Sequence, residues 1–208
     1  MISITIFDNI YDNKTDKRIT LNSVEKFERF LHKMSAVEYD NKGDANLMSP
    51  AYFGMDTTRA NDNVVKWSRW AAIDIDGYQT DNVEIDLQSK YGKYHYICYS
   101  TASSTRERPK FRLVFPLTSD VIKGKIKHFW FALNKELNDI GDAQTKDLSR
   151  MYYVPGTYKD AYNFFFTNDG ETIDPDEMMK LHEYVDKTGN TFLESLPSTI
   201  REQIILHR

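Results

Sequence analysis

Cysteine is nearly absent: Cys98 is the single one among 208 residues. That excludes an internal disulfide and a thiolate-ligated zinc site. Histidine is sparse as well, at positions 32, 95, 128, 182 and 207, with none of the spacings that mark a metal motif. No apolar run approaches membrane-spanning length, and the N-terminus lacks a basic-then-apolar leader, so a cytoplasmic protein with no membrane partner is expected. Repeats and low-complexity stretches are missing too. Nor is there an excess of positive charge. The 27 Lys and Arg face 31 Asp and Glu, a net −4 that argues against a generic nucleic-acid coat. What remains is an ordinary globular composition, 40% hydrophobic and 28% charged. The length suits one domain, or one domain with a small appendage, and is ample for a core without staples.

The charge is unevenly spread. Between Arg106 and Lys135, eight bases (Arg106, Arg108, Lys110, Arg112, Lys123, Lys125, Lys127, Lys135) meet only Glu107 and Asp120, a local +6 that leaves −10 for the rest. Most such runs are solvated faces. A phosphate-facing surface is the sharper alternative. Spacing alone does not decide between them.

Periodicity outlines the fold. Residues 2–7 alternate apolar and hydroxyl side chains, as a half-buried strand does. Asn22 or Ser23 can cap a helix to about Met34 that buries Val24, Phe27, Phe30 and Leu31. Residues 35–63 are polar and broken by Gly43 and Pro50, which predicts a long surface excursion. Strands follow over 64–75, 94–100, 110–115 and 151–154, and Phe164–Phe166 can add another. A helix of roughly 20 residues buries Ile122, Ile126, Phe129, Trp130, Leu133 and Leu137 and stops at Gly141. Asp174-Pro175 opens a later helix with Met178, Leu181 and Val185 inward, and Thr199 with Glu202 can box a last one. The expected class is α+β with a largely antiparallel sheet. The expected division is an N-terminal lobe at 1–63, a core at 64–170 and a C-terminal helical segment at 171–208.

Three stretches carry candidate chemistry. Asp74 and Asp76 are two apart on a strand, so both carboxylates leave one face, about 7 Å apart. That spacing can hold a pair of divalent ions about 3.5–4 Å from each other. Two exposed acids at the turn around Gly77 is the plainer alternative. In the second stretch, Thr101 to Arg112, Ser103, Ser104 and Thr105 offer hydroxyls, and Lys110 and Arg112 share a strand face. A merely basic hairpin competes with a triphosphate site there. In the third, Asp142 and Asp147 precede Arg150 and a strand stopped by Pro155-Gly156. Acids on a strand end, a cationic strand and a further acid in one sheet make two-metal phosphoryl transfer a coherent reading.

In order, Asp-Ile-Asp-Gly, Tyr-Ser-Thr-Ala-Ser-Ser with Lys-Phe-Arg-Leu-Val-Phe-Pro-Leu, and Asp-Leu-Ser-Arg-Met-Tyr-Tyr-Val-Pro-Gly resemble the archaeo-eukaryotic primase superfamily. The likeness spans roughly residues 64–160 and is greatest to primase-polymerase domains of phages and plasmid-like elements. It implies an RNA-recognition-motif-like sheet beside a small N-terminal α/β lobe. It also implies Mg²⁺- or Mn²⁺-dependent nucleotidyl transfer from nucleoside triphosphates on a single-stranded DNA template, without zinc. A replicative helicase is a candidate partner. By position, Asp74, Asp76 and Asp142 match the metal-binding acids, with Asp147 the alternative to Asp142. Ser103, Ser104, Lys110, Arg112 and Arg150 fall at the nucleotide, and Arg106, Arg108, Lys123 and Lys127 are candidate nucleic-acid contacts. One departure stands out: the loop carries Ala102 and Ser104 where many members have a Ser-x-His motif. A binding module of the same fold without turnover, and a metal-dependent nuclease, are the two rival expectations.

Overall fold

The computed structural model describes residues 1–143 and 147–185. The chain begins with β1 (Ile2–Phe7), β2 (Arg18–Leu21), α1 (Val24–Ser35) and the short β3 (Glu38–Tyr39). Strands β4 (Leu47–Ser49), β5 (Ala51–Phe53), β6 (Val64–Trp67) and β7 (Trp70–Ile75) follow. Then come α2 (Val83–Tyr91), β8 (Tyr96–Ser100), β9 (Phe111–Pro116), β10 (Val121–Ile122) and α3 (Ile126–Glu136). The last described elements are β11 (Tyr152–Tyr153), β12 (Thr157–Tyr158), β13 (Phe165–Asn168) and α4 (Pro175–Leu181). The helix expected at Thr199 lies outside the described residues.

The architecture is α+β, with few helices and several mainly antiparallel sheets. The central sheet has the order β13-β8-β9-β7, and every pairing in it is antiparallel. Its strands and helices follow one another as β7-α2-β8-β9-α3-β13, a split β-α-β arrangement in which β9 separates β7 from β8. A second four-stranded sheet, β11-β4-β1-β2, joins residues from both ends of the chain. Strand alternation sorts the core into two layers. Ala71, Ile73, Ile75, Phe111, Leu113 and Phe115 face α2, α3 and α4, while Trp70, Ala72 and Val114 face the second sheet and α1.

Several elements differ from expectation for identifiable reasons. Strand β1 is buried on both faces rather than half-solvated: Ile2 and Ile4 join the layer of Phe27, Leu31 and Trp70, while on the other face Phe7 packs against Phe53 and Thr5 Oγ1 donates to Ala51 O at 2.7 Å. The stretch 35–63 is no surface excursion. Leu47, Met48, Ser49, Ala51 and Phe53 are buried, in strands too short to show a period. The region 64–75 is two strands, separated where Arg69 adopts φ 60. Helix α3 spans 11 residues rather than about 20. Ile122 lies in β10 and is exposed, and the helix ends before Asn138 and Asp139, both left-handed. Gly141 instead fits a close approach, since a Cβ there would meet Ile73 Cγ2 at 2.4 Å and Asn134 Oδ1 at 2.5 Å.

Helix α2 went unanticipated, although Asn82 caps it and Val83, Leu87 and Tyr91 recur every fourth residue; exposed Ile85 blurs the stripe. Ser23 caps α1 and Asp174 caps α4, as their sequences suggest. In α4, however, Met179 is buried with Met178, whereas Leu181 and, beyond the helix, Val185 are exposed. The strand at 151–154 pairs with β4 in the second sheet, so the three chemistry-bearing stretches do not share one sheet.

Trp70 ties the two sheets together: its indole Nε1 donates to Ser3 O at 2.9 Å from a fully buried position. Trp70→Phe should therefore cost about 1–3 kcal/mol through the unpaired Ser3 carbonyl. Urea unfolding followed by circular dichroism checks this.

Candidate active site

Where the chain leaves β8 and β7, the two sheets part and leave a cleft of about 390 Å³. Three acids line it: Asp74, Asp76 and Asp147. Four cations line it as well: Lys42, Arg59, Arg112 and Arg150. Tyr99, Tyr153 and Tyr158 supply much of the remaining wall.

The floor of the cleft is a cross-strand ion pair. Asp74 on β7 lies directly opposite Arg112 on β9, and the Arg112 Nε donates to Asp74 Oδ1. Both side chains are buried. The Arg112 Nη1 also donates to Tyr99 Oη at 3.0 Å and to Tyr153 O at 2.8 Å, and Tyr99 Oη donates to the same carbonyl at 2.9 Å. Burial is the largest single influence and lowers the Arg112 pKa, but the Asp74 charge, Tyr99 and the hydrogen bonds to both together outweigh it and the net shift is upward. Burial pushes the Tyr99 phenol up to about 12, which keeps it neutral and able to donate. The second Asp74 oxygen meets Arg150 Nη2 at 3.8 Å, a loose pair with Arg150 about a third exposed.

The segment 147–150 is held by residues that looked like surface. Asn61 Nδ2 donates to Asp147 Oδ1 at 2.6 Å, and Asn61 Oδ1 accepts from Ser149 N at 2.9 Å. Trp67 Nε1 donates to Leu148 O at 2.9 Å. These contacts fix Asp147 and Arg150 at the mouth. Among the described residues, the Nε atoms of Arg59 and Arg150 and the hydroxyl of Tyr158 at the cleft are buried without a hydrogen-bond partner, as are Arg18 Nε, Arg69 Nε and the Tyr96 hydroxyl away from it.

The expected site residues divide as follows. Asp74, Asp76, Asp147, Ser103, Arg112 and Arg150 meet in the cleft. Asp74 is buried on β7, whereas Asp76 follows the strand's end and is exposed. Asp142 hydrogen-bonds through its backbone N to Asp74 O at 2.8 Å, beside the cleft rather than in its wall. Ser104 is folded into its own loop, where its Oγ accepts from Lys110 N at 3.0 Å; neither residue lines the cleft. The basic run is dispersed. Arg106 stacks on Tyr162 at 4.6 Å, Arg108 and Lys127 are exposed elsewhere, and Lys123 donates to Asp62 O at 2.7 Å. Arg112 alone of that run lines the cleft.

Lys42 and Arg59 were missed. Both sit in the stretch read as an excursion, and no local spacing links them to the acids. His95 and His128 stay outside: His95 contacts Glu28, and His128 contacts His182 O.

With this geometry in view, comparisons place the chain among known proteins. The sequence profile of the VapE N-terminal domain matches residues 50–193. The fold is similar to the primase-polymerase (PrimPol) AEP domain of cyanophage S-2L, with a TM-score of 0.50 and 11% sequence identity. That alignment covers 86% of this chain and 88% of the cyanophage domain. No curated protein matches the sequence significantly.

Removing one partner of the floor pair leaves a buried, uncompensated charge. Arg112→Met should cost about 3–5 kcal/mol of stability. Arg150→Met, which breaks only a loose and partly exposed pair, should cost less than about 1 kcal/mol. Denaturant midpoints of the two variants test this ordering.

Proposed function

The chain belongs to the VapE N-terminal domain family, and from that premise we propose that it is a primase-polymerase-type nucleotidyltransferase of phage or plasmid replication. The observation that carries this reading is the meeting of three acids with four cations in one cleft. It lies on a sheet whose fold is similar to a primase-polymerase domain. The β-α-β-β-α-β succession is that of an RNA-recognition-motif-like sheet, although here the last strand, β13, lies beside β8 rather than beside β7.

The donors suit a hard divalent ion. Asp74, Asp76 and Asp147 are oxygen ligands only, the set that takes Mg²⁺ or Mn²⁺. Asp147 is preferred to Asp142 as the third acid because it lines the cleft. Bound there, such an ion supplies activation of a 3′-hydroxyl and neutralises triphosphate charge. The protein's own groups do the rest. Arg112 orients Asp74 and compensates its charge. Arg59, Arg150 and Lys42 bind phosphate oxygens, where guanidinium forks gain most. Tyr158 donates its free hydroxyl to the bound nucleotide, and the Ser103 loop borders the opening. Template DNA runs past these cations as a single strand.

A second reading, a single-strand-binding replication module without turnover, has two observations in its favour. Both Asp74 oxygens face arginines, and among the described residues the ligand atoms of Asp74, Asp76 and Asp147 do not converge within 4.8 Å.

Incubation with single-stranded DNA, labelled nucleotides and Mg²⁺ or Mn²⁺ separates the readings. Extended or de novo oligomers are expected, and they should fall to background in Asp76→Ala and Asp147→Ala, both sparing the buried pair. Shortened template would indicate a nuclease, and binding without product the non-catalytic module. Arg59→Ala should weaken binding across sequences and flatten its salt dependence by roughly one unit of slope.

A further inference from the structure

At the end of β8 remote from the cleft, about five strand residues or ~17 Å away, three other ligating side chains converge. The carboxylate oxygens of Glu28 and Asp169 and a ring nitrogen of His95 all lie within 4.8 Å of one another. They come from three separate elements: α1, the residue before β8, and the residue after β13. His95 Nε2 is 2.6 Å from Glu28 Oε1.

Two features distinguish this cluster from a chance meeting of polar groups. The first is charge. Among the described residues neither Glu28 nor Asp169 has a lysine or arginine partner. Glu28 and His95 are about four-fifths buried or more. A divalent cation would offset both carboxylates and take the imidazole nitrogen as a third ligand.

The second feature is rigidity. Asn168 Nδ2 donates to Gly92 O at 3.0 Å and Tyr94 O at 2.7 Å. Glu171 N donates to Lys93 O at 2.8 Å, and His95 N donates to Glu171 O at 2.9 Å. Gly170 lies so close that a Cβ would meet the Tyr94 carbonyl carbon at 2.5 Å. Backbone on both sides of Asp169 is thereby locked onto the segment carrying His95, as a preformed site requires.

We propose that Glu28, His95 and Asp169 form a second metal site, for a first-row divalent ion of the zinc class. One imidazole nitrogen and two carboxylate oxygens leave a fourth position for water. The mixed donor set separates it from the all-oxygen cleft, which suits Mg²⁺ or Mn²⁺. Asp169 is exposed, so an ion can enter from solvent. Once bound, it would pin α1 to the central sheet through β8 and β13.

The test is titration of Zn²⁺ into the chelator-treated full chain by calorimetry, with Mg²⁺ in excess, alongside thermal unfolding. One Zn²⁺ per chain and a rise in Tm of several degrees are expected. His95→Ala and Asp169→Asn should each lower affinity by at least the roughly 10–100-fold typical of outer-shell losses, while Asp76→Asn keeps it. Asp169→Asn alters only an exposed side chain, so it decides the matter even if His95→Ala unfolds. Co²⁺ should give visible absorption bands that vanish in His95→Ala. Absence of stoichiometric Zn²⁺ binding, or binding equally tight in both variants, would overturn the site.

Discussion

The Asp74–Arg112 pair is the constraint on which the site rests. It exists because β7 and β9 pair in the one register that sets residue 74 opposite residue 112. A slip of β7 by a single residue would turn Asp74 into the apolar layer beneath α2 and α3 and leave Arg112 buried without its carboxylate. Buried charges are tolerated only when paired and hydrogen-bonded. Here the guanidinium is held by a carboxylate, a phenol and a backbone carbonyl at once. That carbonyl belongs to Tyr153 in the second sheet, so the same arginine links the two sheets across the cleft floor.

Around this floor the polar groups come from distant parts of the chain. Lys42 and Arg59 arrive on the segment between α1 and β6, Asp76 extends from β7, and Asp147 and Arg150 are held by Asn61. The net charge of −4 is thus a poor guide to local chemistry. The long basic run scatters over loops and a helix end, where Lys125 pairs with Asp176 and Lys135 with Asp139. The cleft draws its cations largely from elsewhere. A site of this kind belongs to the sheet as assembled, not to one contiguous stretch.

Legibility followed the range of the interactions. Strands β7, β8 and β9 announced themselves because each is an apolar run with punctuation at its ends. Asp74, Asp76 and Arg112 were legible because alternation along a strand assigns faces locally. Ser23 and Asp174 acted as caps because capping is decided within three residues. By contrast, β4 and β5 are three residues each, too short for periodicity, and Leu47 to Phe53 are buried only because β1, β6 and β11 pair with them. Asn61 reads as one more polar loop residue until segment 147–150 is placed beside it.

By itself the sequence determined the class of the fold, the central strands, and the spacing of Asp74 with Asp76 and of Lys110 with Arg112, since all of these depend on neighbours a few residues apart. Only the tertiary structure decided that Asp147 lines the cleft while Asp142 stands beside it. It also brought Lys42 and Arg59 to the same wall and gathered Glu28, His95 and Asp169 at the far end of the sheet. The physical reason is chain topology. Residues 67 and 74 apart meet here only after the strands that carry them have paired, and no spacing in a linear sequence encodes that closure.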